Sequence, residues 1–375
     1  MDPRNWQAHL ASAMLRQKSV GPKTTSKEFR AFVKSSPVYQ YKNSKSENPI
    51  NAAILLTVEG KEDINFSAGG FTLPSGLTEA AHLIRNPECA AAMLFCEGIA
   101  SKQLKQFDII INAVSDADLY SGLLTKINTL LKHSNAPIIN SPKDILVNTR
   151  DNLARDMLPS TKILAPRTIR VELHAQSNDL VSQISVNNLH YPILIRPIGS
   201  QTGVGLIRLD TENQAQKYKL TGWFYITEFH DFRSSDGYYR KYRCWSIGEQ
   251  IVPNHLFIGT EWNVHGTSRF ENMIKNKWML DEEQFFLSGK SKRYNDNIPQ
   301  MIATIKKITG LDYFGVDFGF TQADIPILFE ANPTMRSNYP EWVTQFPYTK
   351  DVGDKHAKAF YDLIKSKTKN TKNAF

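Results

Sequence analysis

Apolar residues gather along this chain in short runs separated by amphipathic stretches. AAILLTV (52–58), AAAMLFCEG (90–98) and FDIIINAV (107–114) are apolar runs of strand length, and APIINSP (136–142) predicts a fourth, shorter strand. Between them LTEAAHLIR (77–85) predicts a helix. So does SGLLTKINTLLKHS (121–134), whose apolar positions 123, 124, 127, 130 and 131 follow helical spacing. Strands alternating with helices imply a mostly parallel sheet covered on both faces. Residues 49–148 therefore predict a doubly wound α/β domain. Residues 1–48 are polar, Lys/Ser-rich and weakly periodic, and predict an arm with one or two short helices.

The pattern changes after Pro142. NTRDNLARDML predicts a helix capped by Asn148 or Thr149. From Pro166 onward RTIRVEL, PILIRP (192–197) and WFYITEF (223–229) read as short strands, followed by a loop-rich stretch to about residue 293. A helix over 297–310 then leads into two strands, YFGVDFGF (313–320) and IPILFEAN (325–332), and a closing helix runs from about Asp354 to Lys365. The C-terminal part is thus α+β, with predicted divisions at 149–228, 229–345 and a helix with Lys-rich tail at 346–375.

Composition narrows the class. With 375 residues, 41% apolar and 22% charged, the chain reads as globular with two or three lobes. MDPRNWQAHLASAMLRQKSV lacks a secretory h-region, and no run approaches the roughly 18 apolar residues that span a bilayer. Cys89, Cys96 and Cys244 lack metal-ligand spacing and suit a reducing cytoplasm. The net charge of +8 is compatible with nucleic acid, acidic lipid or anionic small molecules. Part of it lies in RQKSVGPKTTSKEFR and SKTKNTKNAF, which read as solvated faces or loose ends.

Three constellations carry chemistry. TQADIP is a turn-like link, so the two C-terminal strands should form an antiparallel hairpin. Symmetry about 323/324 places Asp317 opposite Glu330, and Phe320 opposite Ile327. Facing Cβ atoms lie roughly 4.5–5.5 Å apart, and Asn332 shares the face of Glu330 because strand side chains alternate. Two carboxylates that close repel unless a cation intervenes, and hard oxygen ligands suit Mg2+ or Mn2+. In ILIRPIGSQTGVGL (193–206) a strand delivers Arg196 into a loop with Gly199, Ser200, Gly203 and Gly205, whose backbone can approach a polyphosphate closely. It is not a P-loop, and SAGGFTLPSG (67–76) lacks dinucleotide spacing. Thirdly, FYITEFHDFRSSDGYYRKYRCWSIGEQ delivers Asp231, Asp236, Arg240, Lys241 and Arg243. PNHLFIGTEWNVHG follows with His255, Glu261, Trp262 and His265. That mixture favours a small-molecule pocket over a nucleic-acid groove, although its Tyr/Arg interleaving could stack on bases. No Gly-x-Ser-x-Gly elbow supports a nucleophilic hydrolase.

In this order the three pieces resemble the ATP-grasp superfamily, in particular the branch holding glutathione synthetases and ribosomal-protein glutamate ligases. The likeness runs from about Asp108 to Met335, and the α/β domain at 49–148 takes the place of the usual pre-ATP-grasp lobe. The resemblance implies a cytoplasmic, ATP- and Mg2+-dependent ligase that joins a carboxylate to an amine, the substrate being an amino acid or peptide. It implies phosphate contacts from Arg196 and the Gly199–Gly205 flap, with Asn152 where the family often has lysine and Arg150 as a substitute. Thr227, Glu228 and Phe229 match the adenine hinge, Asp236 a ribose partner, and Lys241 a further nucleotide contact. Arg243 matches a basic group near the γ-phosphate, and Asp317, Glu330 and Asn332 match the metal ligands. Arg336, His255 and His265 are candidate substrate contacts. Two other readings stay open: a nucleotide-binding regulator with a degenerate core, and, less favoured, a nucleic-acid-binding protein. A homo-oligomer is compatible with all three.

Overall fold

The computed structural model describes residues 6–372 apart from 68–69, 176–177, 201–202, 292–295 and 338. Two compact units emerge: Met1–Leu146 with Pro333–Arg336 and Gly353–Phe375, and Val147–Asn332 with Ser337–Val352. The ends of the predicted arm (1–5) and tail (373–375) lie outside the described residues.

The first unit begins with two helices, α1 (Trp6–Val20) and α2 (Pro22–Ser35). Proline suits the start of α2 because its missing N–H is unpaired there anyway. Trp6 is 5% exposed and stacks on Phe95 at 5.1 Å and Tyr39 at 5.0 Å, so this polar stretch is fastened to the sheet by one aromatic anchor. Strands β1 (Val38–Lys42), β2 (Ile50–Leu56), β3 (Phe66–Ser67), β4 (Gly70–Phe71), β5 (Cys89–Phe95), β6 (Ile109–Asn112) and β7 (Ile138–Ile139) follow. The main sheet has the order β1-β5-β2-β6-β7, parallel except for β1 at its edge. Every residue of β5 and β6 is buried, as the unbroken apolar runs require of a sheet covered on both faces. The second predicted helix forms as α3 (Ala117–Leu131), capped by the Asp116 carboxylate, which accepts from the Asp118 and Leu119 amides. The first does not. Residues 77–85 form only a 3-10 turn at Ala81–Leu83, because Thr78 is tied through its amide to Ala113 and through its hydroxyl to Ser115 and Pro333.

The second unit holds α4 (Arg150–Met157) and two four-stranded antiparallel sheets. The first sheet contains β8 (Thr168–His174), β9 (Ile193–Pro197), β10 (Ile207–Leu209) and β11 (Thr221–Glu228) in the order β10-β9-β11-β8. Leu173, Ile193, Ile195 and Ile226 pack against Leu180 and Ile184 of α5 (Asp179–Val186). The second sheet contains β12 (Tyr239–Ile247), β13 (Gln250–Gly259), β14 (Tyr313–Phe320) and β15 (Pro326–Asn332) in the order β13-β12-β14-β15. The stretch expected to be loop-rich therefore forms a long hairpin, followed by α6 (Lys277–Leu287). α7 (Ile298–Thr309) ends on Gly310 in the left-handed region, and α8 spans Lys350–Lys372.

The β14–β15 register differs from the symmetric expectation on the turn side only. Asp317 faces Glu330, but Phe318 faces Leu328 and Phe320 faces Pro326 instead of Ile327. A bulge at Phe329 absorbs the extra residue before the shift can reach the carboxylates.

Candidate functional site

One transverse row organises the second sheet. His255 on β13 pairs with Arg243 on β12, Arg243 with Asp317 on β14, and Asp317 with Glu330 on β15. Directly opposed residues share a face, so four ionisable side chains on four adjacent strands point the same way. Asp317 is 2% exposed, and Arg243 grips it at two points, Nε to Oδ1 at 2.5 Å and Nη2 to Oδ2 at 2.8 Å. Lys241 Nζ lies 3.4 Å from Oδ2, and Arg243 Nη1 donates to the Tyr339 hydroxyl at 3.2 Å. Burial alone would raise the Asp317 carboxyl, but Arg243 and Lys241 beside it hold it well below the usual carboxylate range. Burial, with Arg243 and Arg150 nearby, lowers the Lys241 ammonium against the pull of Asp317. Asn332 lies opposite Gly315 on the face of Glu330.

The first sheet and α4 bring cations to the other end of this row. Arg150, in the first turn of α4, forms an ion pair with Glu330 Oε2, and Arg196 Nη1 stands 3.9 Å from the same oxygen. Arg196 Nη2 also donates to the Ser200 carbonyl at 2.6 Å, joining the strand end to its glycine loop. A third arginine was not anticipated. Arg170 on β8 donates to the Tyr225 hydroxyl at 2.7 Å and lies 3.5 Å from Asp151, while Tyr225 pairs with both Arg170 and Arg196. Strand alternation in RTIRVEL gives Arg170 a face, but only the order β9-β11-β8 shows that Arg196 shares it.

Other expected contacts are engaged elsewhere. Asn152 is engaged locally, donating to the Val147 carbonyl just before α4 and accepting from Arg155 on α4. The amides of Glu228 and Phe229 donate to the Arg167 and Pro192 carbonyls, so these two hinge N–H groups already belong to the sheet. The Glu228 carboxylate accepts from the His190 amide, and the Thr227 hydroxyl meets that of Thr168. Asp236 receives both terminal nitrogens of Arg240, at 2.9 and 2.7 Å, and Arg240 continues to Glu282. That closed ion-pair network occupies the group expected beside a ribose.

Gly199, Gly203 and Gly205 all have φ between 70° and 77°. Positions 201–202 of that loop lie outside the described residues. Gly203 also packs against His265, where an added Cβ would come within 2.7 Å of the ring. Burial and, next, Lys241 lower the His265 imidazole. His255 is 1% exposed, stacks on Phe257 at 3.9 Å, and has no hydrogen-bond partner for either ring nitrogen among the described residues. Burial and the Arg243 charge push it well below its ordinary value, so it is neutral. Arg336 clusters with the first unit, where burial and the charges of Arg85 and Arg336 lower His82 to about 4. Tyr239, Arg240, Tyr242 and Arg243 are buried, whereas Arg233 is exposed and Tyr238 half-buried.

No protein-family model matches the chain, and no curated protein does. Solved structures do. D-alanyl-alanine synthetase A from Vibrio cholerae aligns over 86% of this chain and 99% of its own, with 12% identity and a TM-score of 0.51. A D-alanine–D-alanine ligase from Bacillus anthracis complexed with ATP covers 87% and 100% (10% identity, TM-score 0.49). An ATP-grasp RimK domain protein from Sphaerobacter thermophilus covers 84% and 99% (11% identity, TM-score 0.47). The fold is ATP-grasp.

Two carboxylates and an amide are the hard oxygen donors that Mg2+ or Mn2+ takes, completed by water and phosphate oxygens. Among the described residues no three His, Cys, Asp or Glu side chains group as a metal site. Asp317, Glu330 and Asn332 carry donors of this kind on one face, and both Asp317 oxygens and Glu330 Oε2 also face cationic side chains.

Proposed function

We propose that the chain is an ATP-dependent carboxylate–amine ligase that forms an amide through an acyl phosphate, acting on an amino acid, a peptide or a related acid. The observation that carries this reading is the convergence of Arg150 and Arg196 on Glu330, beside the Arg243–Asp317 pair. Cations mounted on a strand and a helix start beside a Gly-rich loop are what a transferring phosphoryl group requires. In this reading residues 149–228 supply the phosphate-covering subdomain and residues 229–345 the subdomain with the metal ligands.

The acid's carboxylate attacks the γ-phosphorus and ADP departs with the bridging oxygen. The amine then attacks the acyl carbon, inorganic phosphate leaves, and a proton is lost from nitrogen. Arg196 holds the phosphates from β9, and Arg243 meets charge at the transferred group. Asp317 fixes Arg243 by gripping Nε and Nη2, so the guanidinium needs little reorganisation as charge develops. Asp317, Glu330 and Asn332 would hold Mg2+ or Mn2+, which when bound neutralises charge on the phosphate oxygens.

A second reading, a nucleotide-binding regulator with a degenerate core, draws on Asn152 being held by the Val147 carbonyl and Arg155. ADP formation screened across amino acids and small peptides, with mass spectrometry of the product, tests both. The ligase reading expects ADP and a condensed product with one acid–amine pair. Firm ATP binding with no ADP release from any pair would favour the regulator.

A further inference from the structure

The same cations that suit phosphate also cover the carboxylates. Glu330 Oε2 is buried, forms an ion pair with Arg150 and has Arg196 at 3.9 Å. Both oxygens of Asp317 are taken by Arg243, with Lys241 at 3.4 Å. Four basic side chains thus surround two carboxylates, and the cluster is cationic overall. A free divalent cation approaching it meets repulsion and finds its ligands occupied.

A nucleoside triphosphate reverses that balance. Its oxygens offer guanidinium groups bidentate partners carrying more negative charge than one carboxylate. Arg150 and Arg196 need only turn from Glu330 to the phosphates, since α4 and β9 already place them there. We infer that Arg150 and Arg196 mask Glu330 until a nucleoside triphosphate draws them away, so that the divalent cation enters this site only together with the nucleotide. The inference rests on the nucleotide-binding part of the proposed function. Arg150 acts here as the removable cover of a metal ligand as well as a phosphate contact. Arg196 couples the same exchange to the glycine loop through the Ser200 carbonyl.

The test follows the free Mn2+ resonance by electron paramagnetic resonance, with no turnover involved. Wild-type protein with Mn2+ alone should leave that signal unchanged. Adding ATP should remove it in proportion to protein, beyond what ATP removes by itself. Arg150→Gln uncovers Glu330 and should tighten binding of Mn2+ alone by at least about tenfold, while weakening ATP binding measured in EDTA. Should that variant not fold by circular dichroism, Arg196→Gln carries the same comparison. Mn2+ binding to the wild type equally well with and without ATP, or an unchanged affinity for Mn2+ alone in the folded variant, would overturn the inference. Absence of ATP binding, with Arg150→Gln nevertheless opened to Mn2+, would overturn the ligase reading and the nucleotide-driven release alike, leaving only the covering of Glu330 by Arg150.

Discussion

Asp317 is the residue on which the row depends. Replacing it with Asn leaves Arg243 buried without its anion, a loss of about 3–5 kcal/mol in the second unit. The pH dependence has a definite sign. The Asp317 carboxyl lies below its ordinary value, so its stabilisation is complete above about pH 4 and fades as pH falls toward the folded-state value. Denaturant titrations of wild type and Asp317→Asn should therefore differ at pH 7 and converge in acid; a constant gap would contradict the pairing. The opposition of Asp317 and Glu330 was legible in the sequence, because a short link between two apolar strands leaves few registers. The covering of Asp317 by Arg243 and Lys241, and of Glu330 by Arg150 and Arg196, was not. A charged residue is read as solvated unless its neutralising partner is known, and that partner lies far along the chain.

The same blindness acts on whole elements. YRKYRCWSI carries Arg240, Lys241 and Arg243 within four positions and reads as loop, yet it is β12, an inner strand, because Asp236, Glu282 and Asp317 neutralise those charges. PNHLFIG falls in the same stretch expected to be loop-rich but belongs to β13, with Pro253 beside the bulge between Arg243 and Cys244, where the ladder is already interrupted. The apolar runs of β2, β5 and β6 needed no partner to be recognised. In the polar N-terminal stretch, Trp6 fastens α1 to β1 and β5, so Trp6→Ala should cost about 3–5 kcal/mol in the first unit. A change below about 1 kcal/mol by hydrogen exchange of β5 amides would show the anchor to be idle. In the glycine loop, Gly203→Ala puts a methyl into His265 at positive φ. It should weaken ATP binding at least about tenfold with little change in global stability.

At the scale of the molecule, the two units should respond differently to acid. Burial, with His82 and Arg85 nearby, lowers His356 to about 3, and His82 falls to about 4. A histidine with a depressed folded-state value stabilises fully above about pH 6.5 and progressively less as pH falls toward that value. The first unit should therefore lose stability between about pH 6.5 and 4, before the Asp317 pair is affected. His356→Leu should flatten that loss, read from exchange of β2 and β5 amides against those of β12 and β14. Unchanged acid sensitivity in the variant would place the effect elsewhere.

The account as a whole stands on the second unit receiving a nucleoside triphosphate at Arg196, Arg150 and the Glu330 row. Isothermal titration of ATP with Mg2+ into wild type and Arg196→Gln tests this most directly. Saturable binding of one ATP per chain, weakened at least about tenfold by Arg196→Gln, is predicted; no binding, or equal binding by the two proteins, would contradict it.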